Sequence, residues 1–133
     1  MAPRILVCCL AALLPAGCGS DEREQPAGAP APVTLVTVRV DPDGKGPEAP
    51  EESQIRCTEP RENRVCAAAD DLRPADLAPV AGDVACTQIF GGPETAEITG
   101  TLNRRKISAR FSRTNGCEIA RWEKVAPLLE AAG

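Results

Sequence analysis

The sequence predicts a small α+β domain, in which an antiparallel sheet packs with two short helices and two disulfides close the fold. Three observations support this prediction. Valines alternate with other residues in VTLVTVRV (33–40), which is the two-residue period of a strand. Between 63 and 72, apolar residues recur at spacings of four and three, which is the period of a helix. Four cysteines lie beyond residue 18, and an even number favours disulfides.

The first half of the domain is predicted to contain two strands and one helix. The first strand is followed by a Pro- and Gly-rich loop, and residues 54–58 alternate as a second strand. Asn63 can cap a helix that continues to Leu72. Pro74 and Pro79 then leave room only for a short turn at 75–77. The residues expected to face inward from the strands are Val36, Val38, Val40, Ile55 and Cys57.

The second half is predicted to contain a hairpin and a second helix. Residues 98–102 and 106–111 form the hairpin, with Asn103 and Arg104 at its tip. Residues 118–124 form the helix, which we expect Pro127 to end. The core contains few aromatic residues, so two disulfides, each worth about 2–4 kcal/mol, would add much of the stability.

The N-terminus is typical of an export signal. Arg4 precedes an apolar run (5–14) that is too short for a permanent membrane span, which needs about 20 residues. Residues 1–17 are therefore predicted to be a signal peptide. The ending Ala16-Gly17-Cys18 is similar to a bacterial lipoprotein signal, which implies that Cys18 is acylated and holds the protein at the outer face of the cell membrane. Plain secretion into the medium is the alternative.

Residues 18–32 are predicted to be a disordered tether, since they contain prolines and no apolar face. Such a segment has a root-mean-square reach of about 20 Å. The folded domain is then expected to span 33–133.

Composition excludes several functional classes. The net charge of −4 argues against nucleic acid as a partner. The one dense positive run (104–106) is expected to be a solvated hairpin tip. The chain has no histidine, so neither a Ser-His-Asp nor a Cys-His arrangement can form, and no spacing singles out a pair of catalytic carboxylates. There is also no CxxC motif, which, with the lack of histidine, argues against a zinc site. We therefore expect neither an enzyme, nor a zinc site, nor a cofactor.

The cysteines beyond residue 18 are Cys57, Cys66, Cys86 and Cys117. In an exported chain they indicate two disulfides. Four cysteines allow three pairings, and counting alone does not choose among them.

Three stretches resemble the bacterial subtilisin-inhibitor-like family of serine protease inhibitors. VCAAADDLRPADLAPVAGDVAC (65–86) is similar to the family's cysteine-led helix and its return to a second cysteine. ITGTLNRRKIS (98–108) resembles the family's hairpin, and TNGCE (114–118) resembles its Asn-x-Cys-Glu ending. The similarity extends from Val33 to the C-terminus and needs no gap between Ile98 and Glu118.

The resemblance implies a disulfide pairing, a reactive bond and a binding loop. Cys57 would pair with Cys66, and Cys86 with Cys117. The bond attacked by the protease would be Gln88–Ile89, with Gln88 entering the primary pocket of the enzyme. The neighbouring residues expected to contact the protease are Ala85, Cys86, Thr87 and Phe90. Asn115 would support this loop by hydrogen bonding to its backbone.

The implied function is substrate-like inhibition of a subtilisin-like serine protease at the cell surface. Gly91, Gly92 and Pro93 are expected to turn the chain away after the loop. The alternative is a surface interaction module that keeps the fold without inhibition, with Gln88 as a substrate of a transglutaminase. The oligomeric state stays open, a homodimer included.

Overall fold

The computed structural model describes residues 31–132, and within this range the α+β prediction is confirmed. The signal peptide (1–17), Cys18 and the tether up to residue 30 lie outside the described residues. The elements in chain order are the strands β1 (Thr34–Asp41) and β2 (Glu51–Cys57), the helices α1 (Arg64–Asp71) and α2 (Pro74–Leu77), the strands β3 (Thr95–Leu102) and β4 (Arg105–Ser112), the helix α3 (Gly116–Leu129) and a 3-10 turn (Glu130–Ala132).

The four strands form one antiparallel sheet in the order β2-β1-β3-β4. Val36 on β1 lies opposite Ile55 on β2, and Val38 lies opposite Ile98 on β3. Because side chains alternate across a strand, this register brings the apolar residues of all four strands to one face.

The helices cover that face and close a single core. Val125 and Leu128 of α3 are fully buried, as are Val36, Val38 and Ile98 of the sheet. The opposite face presents polar side chains, which agrees with the alternation in sequence. The remaining core residues are Val33, Ile55, Cys57, Cys66, Ala69, Ala96, Leu102, Ala109, Phe111 and Leu129.

The predicted hairpin tip is confirmed. Asn103 and Arg104 connect β3 to β4, with φ values of 49° and 63°. Two consecutive residues with positive φ form the turn whose twist matches that of an antiparallel pair. The Asn103 side chain also donates to the carbonyl of Ala69 at 2.9 Å, so the tip is attached to the end of α1.

Several boundaries differ from the prediction; β2 begins at Glu51 rather than at 54, and α3 begins at Gly116 rather than at 118. β3 begins at Thr95, three residues earlier than expected, because it pairs with β1 back to Asp41. The prediction that Pro127 ends the last helix was wrong, since α3 continues to Leu129. A proline inside a helix costs about 3 kcal/mol. Burial of Leu128 and Leu129 in the next turn, at about 1.5–3 kcal/mol each, offsets that cost.

The two disulfides join Cys57 to Cys66 and Cys86 to Cys117, which is the pairing that the family resemblance implied. Disulfides persist in oxidising compartments, so they indicate an exported protein. Within residues 31–132, no helix has the length and apolar character needed to cross a membrane.

Candidate functional site

The most exposed apolar side chains of the described chain lie in one irregular segment, residues 84–93, which we call the exposed loop. Val84, Ile89 and Phe90 are 52%, 60% and 66% exposed, and they are the only large hydrophobic residues exposed to this extent between residues 31 and 132. Exposed apolar side chains within one short segment are a feature of surfaces that bind another protein. The loop is therefore the candidate functional site.

The N-terminal side of the exposed loop is attached to α3 by the Cys86–Cys117 disulfide. Cys117 is the second residue of α3, so the loop is held against the first turn of a helix. Ahead of the disulfide, the N–H of Val84 donates to the carbonyl of Ala81 at 3.1 Å and closes a turn.

Two backbone hydrogen bonds then flank the centre of the loop. The N–H of Gly116 donates to the carbonyl of Thr87 at 2.9 Å, and the N–H of Gly91 donates to the carbonyl of Arg113 at 2.7 Å. Arg113 lies between β4 and α3, and Gly116 is the first residue of α3. The residues between the two attachment points are Gln88, Ile89 and Phe90, and all three are exposed. A short stretch of chain is thus presented to solvent while both of its ends are held.

Both hydrogen-bonded glycines sit where a side chain would disturb the contact. A Cβ at Gly116 would collide with Oγ1 of Thr87, and a Cβ at Gly91 would lie 2.9 Å from Cδ1 of Ile119. At both positions a larger residue would force a neighbouring side chain to move, so glycine suits the close approach of the loop to α3. Sequence reasoning assigned Gly91 to a turn and did not identify the role of Gly116.

Arg113 braces the C-terminal side of the loop. Its guanidinium lies 3.1 Å from Oε1 of Glu94 and 5.9 Å from the centroid of the Trp122 ring. The ion pair and the cation–π contact hold the residue whose carbonyl accepts from Gly91. Arg113 was not identified from the sequence, because its role depends on contacts with Glu94, which precedes β3, and with Trp122 of α3.

The helix that carries Cys117 is itself held against the rest of the fold. Arg121 of α3 pairs with Glu118 at 2.6 Å and donates to the carbonyls of Leu77 and Arg110 at 3.2 and 3.1 Å. Its guanidinium also lies 4.8 Å from the centroid of the Phe111 ring. Helix α3, to which the exposed loop is attached, is therefore connected to α2 and β4.

Asn115 lies beside the loop, but its described hydrogen bond is to its own helix. Its Oδ1 accepts from the N–H of Glu118 at 3.0 Å, which makes Asn115 the N-cap of α3. The hydrogen bond to the loop comes instead from the backbone of the next residue, Gly116. The spacing Asn115-x-x-Glu118 is a helix-start pattern that could have revealed this cap.

Gln88 projects from the loop, and its Nε2 donates to the carbonyl of Cys86 at 3.1 Å. This contact within the loop leaves the Gln88 side chain exposed. Ala85 and Thr87 are exposed as well, and Cys86 is partly exposed.

The second disulfide lies away from this site. Cys57 and Cys66 are 1% and 2% exposed and join β2 to α1. Glu62 lies close to both sulfur atoms, but these are bonded to each other and offer no thiolate to a metal. The Thr58 hydroxyl, followed by the N–H of Glu59, lowers the pKa of Glu62 below its usual value. Glu62 therefore stabilises the turn between the two cysteines.

Comparisons with protein-family models, with curated proteins and with solved structures found no match to this chain, so the family resemblance rests on the residues themselves.

Proposed function

We propose that this protein is an exported inhibitor of subtilisin-like serine proteases, of the subtilisin-inhibitor-like kind, with Gln88–Ile89 as its reactive bond. The observation that carries the proposal is the geometry of the exposed loop. Three exposed residues, 88–90, lie between two backbone attachments and next to a disulfide.

This arrangement suits binding in the manner of a substrate. A protease binds its substrate as an extended segment, with main-chain hydrogen bonds and alternate side chains in pockets. Ordering a free residue costs about 1–2 kcal/mol, so a loop already held at Thr87 and Gly91 loses less free energy on docking. Ile89 and Phe90 then bury apolar area that the free protein leaves in water.

The same attachments account for inhibition rather than digestion. If the Gln88–Ile89 bond is cut, one new end is held through Thr87 and the Cys86–Cys117 disulfide. The other new end is held through Gly91 and Arg113. Because neither end can leave, religation competes with release, and the protease stays occupied.

Lipid attachment at Cys18 belongs to the same proposal. The disulfides place the protein outside the reducing cytoplasm, and Ala16-Gly17-Cys18 suits acylation of the cysteine. Mass spectrometry of the membrane fraction tests this part: we expect an N-terminal peptide that begins at an acylated Cys18. An N-terminus without lipid would instead favour secretion.

The decisive experiment for inhibition is a titration of subtilisin with the disulfide-closed chain from Gly19 to Gly133. We expect enzyme activity to fall linearly to near zero at about one equivalent of inhibitor. The bound inhibitor should slowly gain the mass of one water, because the disulfide keeps the cut chain together. Reduction should then release two fragments, one ending at Gln88 and the other beginning at Ile89.

Two results would contradict the proposal. One is an intact loop with no loss of protease activity, and the other is rapid cleavage without inhibition. If a transglutaminase then attached a labelled amine to Gln88 but not to Gln54, which is also exposed, the interaction-module alternative would be favoured.

A further inference from the structure

The hairpin tip and the β1–β2 connection lie at opposite ends of the sheet and differ in charge. At the hairpin tip, Arg104, Arg105 and Lys106 are consecutive and exposed, and none of them forms an ion pair with another residue of the described range. The nearby acids at the end of α1, Asp70 and Asp71, lie against Arg61. At the other end of the sheet, β1, β2 and their connection carry mostly acids, namely Asp41, Asp43, Glu48, Glu51 and Glu52.

The chain enters the domain beside the basic tip. The carbonyl of Val33 accepts from the N–H of Arg104 at 2.8 Å. The next residue, Thr34, exchanges hydrogen bonds with Asn103, at 3.1 and 3.3 Å. Any anchor that precedes residue 31 is therefore attached to the domain at the end that carries the three unpaired cations.

The exposed loop lies at the opposite end. β3 begins at Thr95, two residues after the loop, and ends at Leu102 next to the tip. At about 3.4 Å per residue, the strand separates the two regions by about 24 Å. The acidic β1–β2 connection lies at the same end as the loop, since a Cβ at Gly44 would lie 2.8 Å from the carbonyl oxygen of Pro93.

We propose that the basic tip, residues 104–106, is a membrane-contact surface that binds anionic lipid headgroups and turns the exposed loop away from the bilayer. This inference rests on the lipid anchor of the proposed function. A basic patch beside a lipid anchor adds an electrostatic attraction to anionic headgroups that the acyl chains themselves do not supply. A negatively charged membrane surface repels the acidic β1–β2 connection. The attachment point, the basic tip and the charge distribution therefore all favour an orientation with the exposed loop away from the bilayer.

The test uses the chain from Cys18 to Gly133 with both disulfides closed, so that Cys18 is the single free thiol. Cys18 is alkylated with one saturated acyl chain, and partition is measured by sedimentation with two kinds of vesicle. One is phosphatidylcholine alone, and the other contains about one-third phosphatidylglycerol. We expect partition to be on the order of tenfold stronger on the anionic vesicles at low salt, with the difference lost in concentrated salt.

Two variants with equal loss of charge locate the effect. R104G/R105Q/K106Q removes the tip cations, and its glycine suits the positive φ of position 104. R39Q/K45Q/R110Q removes three exposed cations at the loop end of the sheet. We expect the first variant to lose the preference for anionic vesicles and the second to keep it. R105Q/K106Q leaves the turn untouched and should lose most of the preference for anionic vesicles. This variant shows that the loss comes from the removed charge and not from misfolding of the triple variant.

Equal partition of the wild-type protein on both vesicles would overturn the inference, as would equal losses in the two triple variants. The measurement involves no protease, so its failure is distinct from failure of the inhibitor proposal. A protein that inhibits subtilisin but ignores anionic lipid would keep the proposed function and lose this inference.

Discussion

The two disulfides occupy different environments. Cys57–Cys66 lies in the core, where both residues are at most 2% exposed, and it links residues nine apart in sequence. Cys86–Cys117 is partly exposed, links residues 31 apart, and attaches an irregular segment to the first turn of α3. The first disulfide belongs to the apolar core and has Glu62 beside it, whereas the second is surrounded by backbone hydrogen bonds and glycines.

The difference shows that one disulfide can stabilise the core of a domain while a similar one fixes the shape of an exposed loop. Chain-entropy arguments give about 2.6 kcal/mol for the shorter closed loop and about 3.7 kcal/mol for the longer one. The effects on the unfolded chain are therefore similar. What differs is the native state, in which one disulfide completes a core and the other holds the shape of an exposed segment.

The largest expected effect comes from removing the loop disulfide. In C86A/C117A, residues 86–90 lose an attachment, and ordering about three residues costs several kcal/mol. We predict that subtilisin cleaves this variant about a thousandfold faster than the wild-type protein, with little inhibition. Mass spectrometry of timed digests measures the rate at the Gln88–Ile89 bond.

The matched control is C57A/C66A, studied below its melting temperature. It should lose about 2–4 kcal/mol of unfolding free energy in urea, yet its loop should resist cleavage as well as in the wild-type protein. If both double variants were cleaved equally fast while folded, the separation between the two disulfides would be wrong.

A second prediction compares two exposed glutamines, one in each region. Gln88 lies in the exposed loop, and Gln54 lies on β2, the strand that carries Cys57. Q88K should strengthen binding to trypsin about a hundredfold, because a lysine in the primary pocket can form a charge-assisted hydrogen bond worth about 3 kcal/mol. Q54K should leave trypsin binding unchanged. Inhibition constants for both variants, measured against trypsin, check the prediction.

A third prediction tests the hydrogen bond that holds the loop to α3. In G116A, the added methyl collides with Oγ1 of Thr87, so we expect cleavage of the loop to accelerate about tenfold. The thermal stability should stay close to that of the wild-type protein, because alanine is favourable at the start of a helix. T87A/G116A should restore slow cleavage by removing the colliding atom.

G82A is the control for this prediction, since a Cβ there has no neighbour within 4 Å. Its cleavage rate should match that of the wild-type protein. Faster cleavage of G82A, or no rescue in T87A/G116A, would show that the hydrogen bond between Gly116 and Thr87 does not hold the loop.

The smallest expected effect concerns the turn beside the core disulfide. The hydrogen bonds from Thr58 and Glu59 lower the pKa of Glu62, so its carboxylate stabilises the fold above the unfolded pKa near 4.5. That contribution is lost as pH falls through the lower, folded value. E62Q should therefore reduce the melting temperature by roughly 2 °C at pH 7, and the difference should vanish in acid.

E123Q on the exposed face of α3 is the comparison for E62Q. Its melting temperature should follow that of the wild-type protein at neutral and acidic pH. A difference between E62Q and the wild-type protein that persisted in acid would mean that the side chain acts through packing rather than through its charge. The rate of loop cleavage should not change in E62Q, because Glu62 lies away from the exposed loop, and it should not change in E123Q.

Local pattern was sufficient to predict most of the secondary structure. The alternation of valines predicted β1, Asn63 was correctly identified as a helix cap, and Asn103-Arg104 was correctly placed at the hairpin tip. These features depend on residues close together in sequence, whose side-chain and backbone preferences act locally. The last helix was misjudged at both ends: the local pattern of its Asn115 cap was overlooked, and its end depends on burial of Leu128 and Leu129 in the core.

The sequence by itself determined that this is a small α+β domain with an even set of cysteines and an apolar, glycine-flanked segment after Cys86. Only the tertiary structure decided that this segment is held by Gly116 on one side and Arg113 on the other. It also decided that the basic tip and the exposed loop lie at opposite ends of the sheet. These features could not be read from local pattern, because each joins residues that only the packing of α3 and the strands brings together.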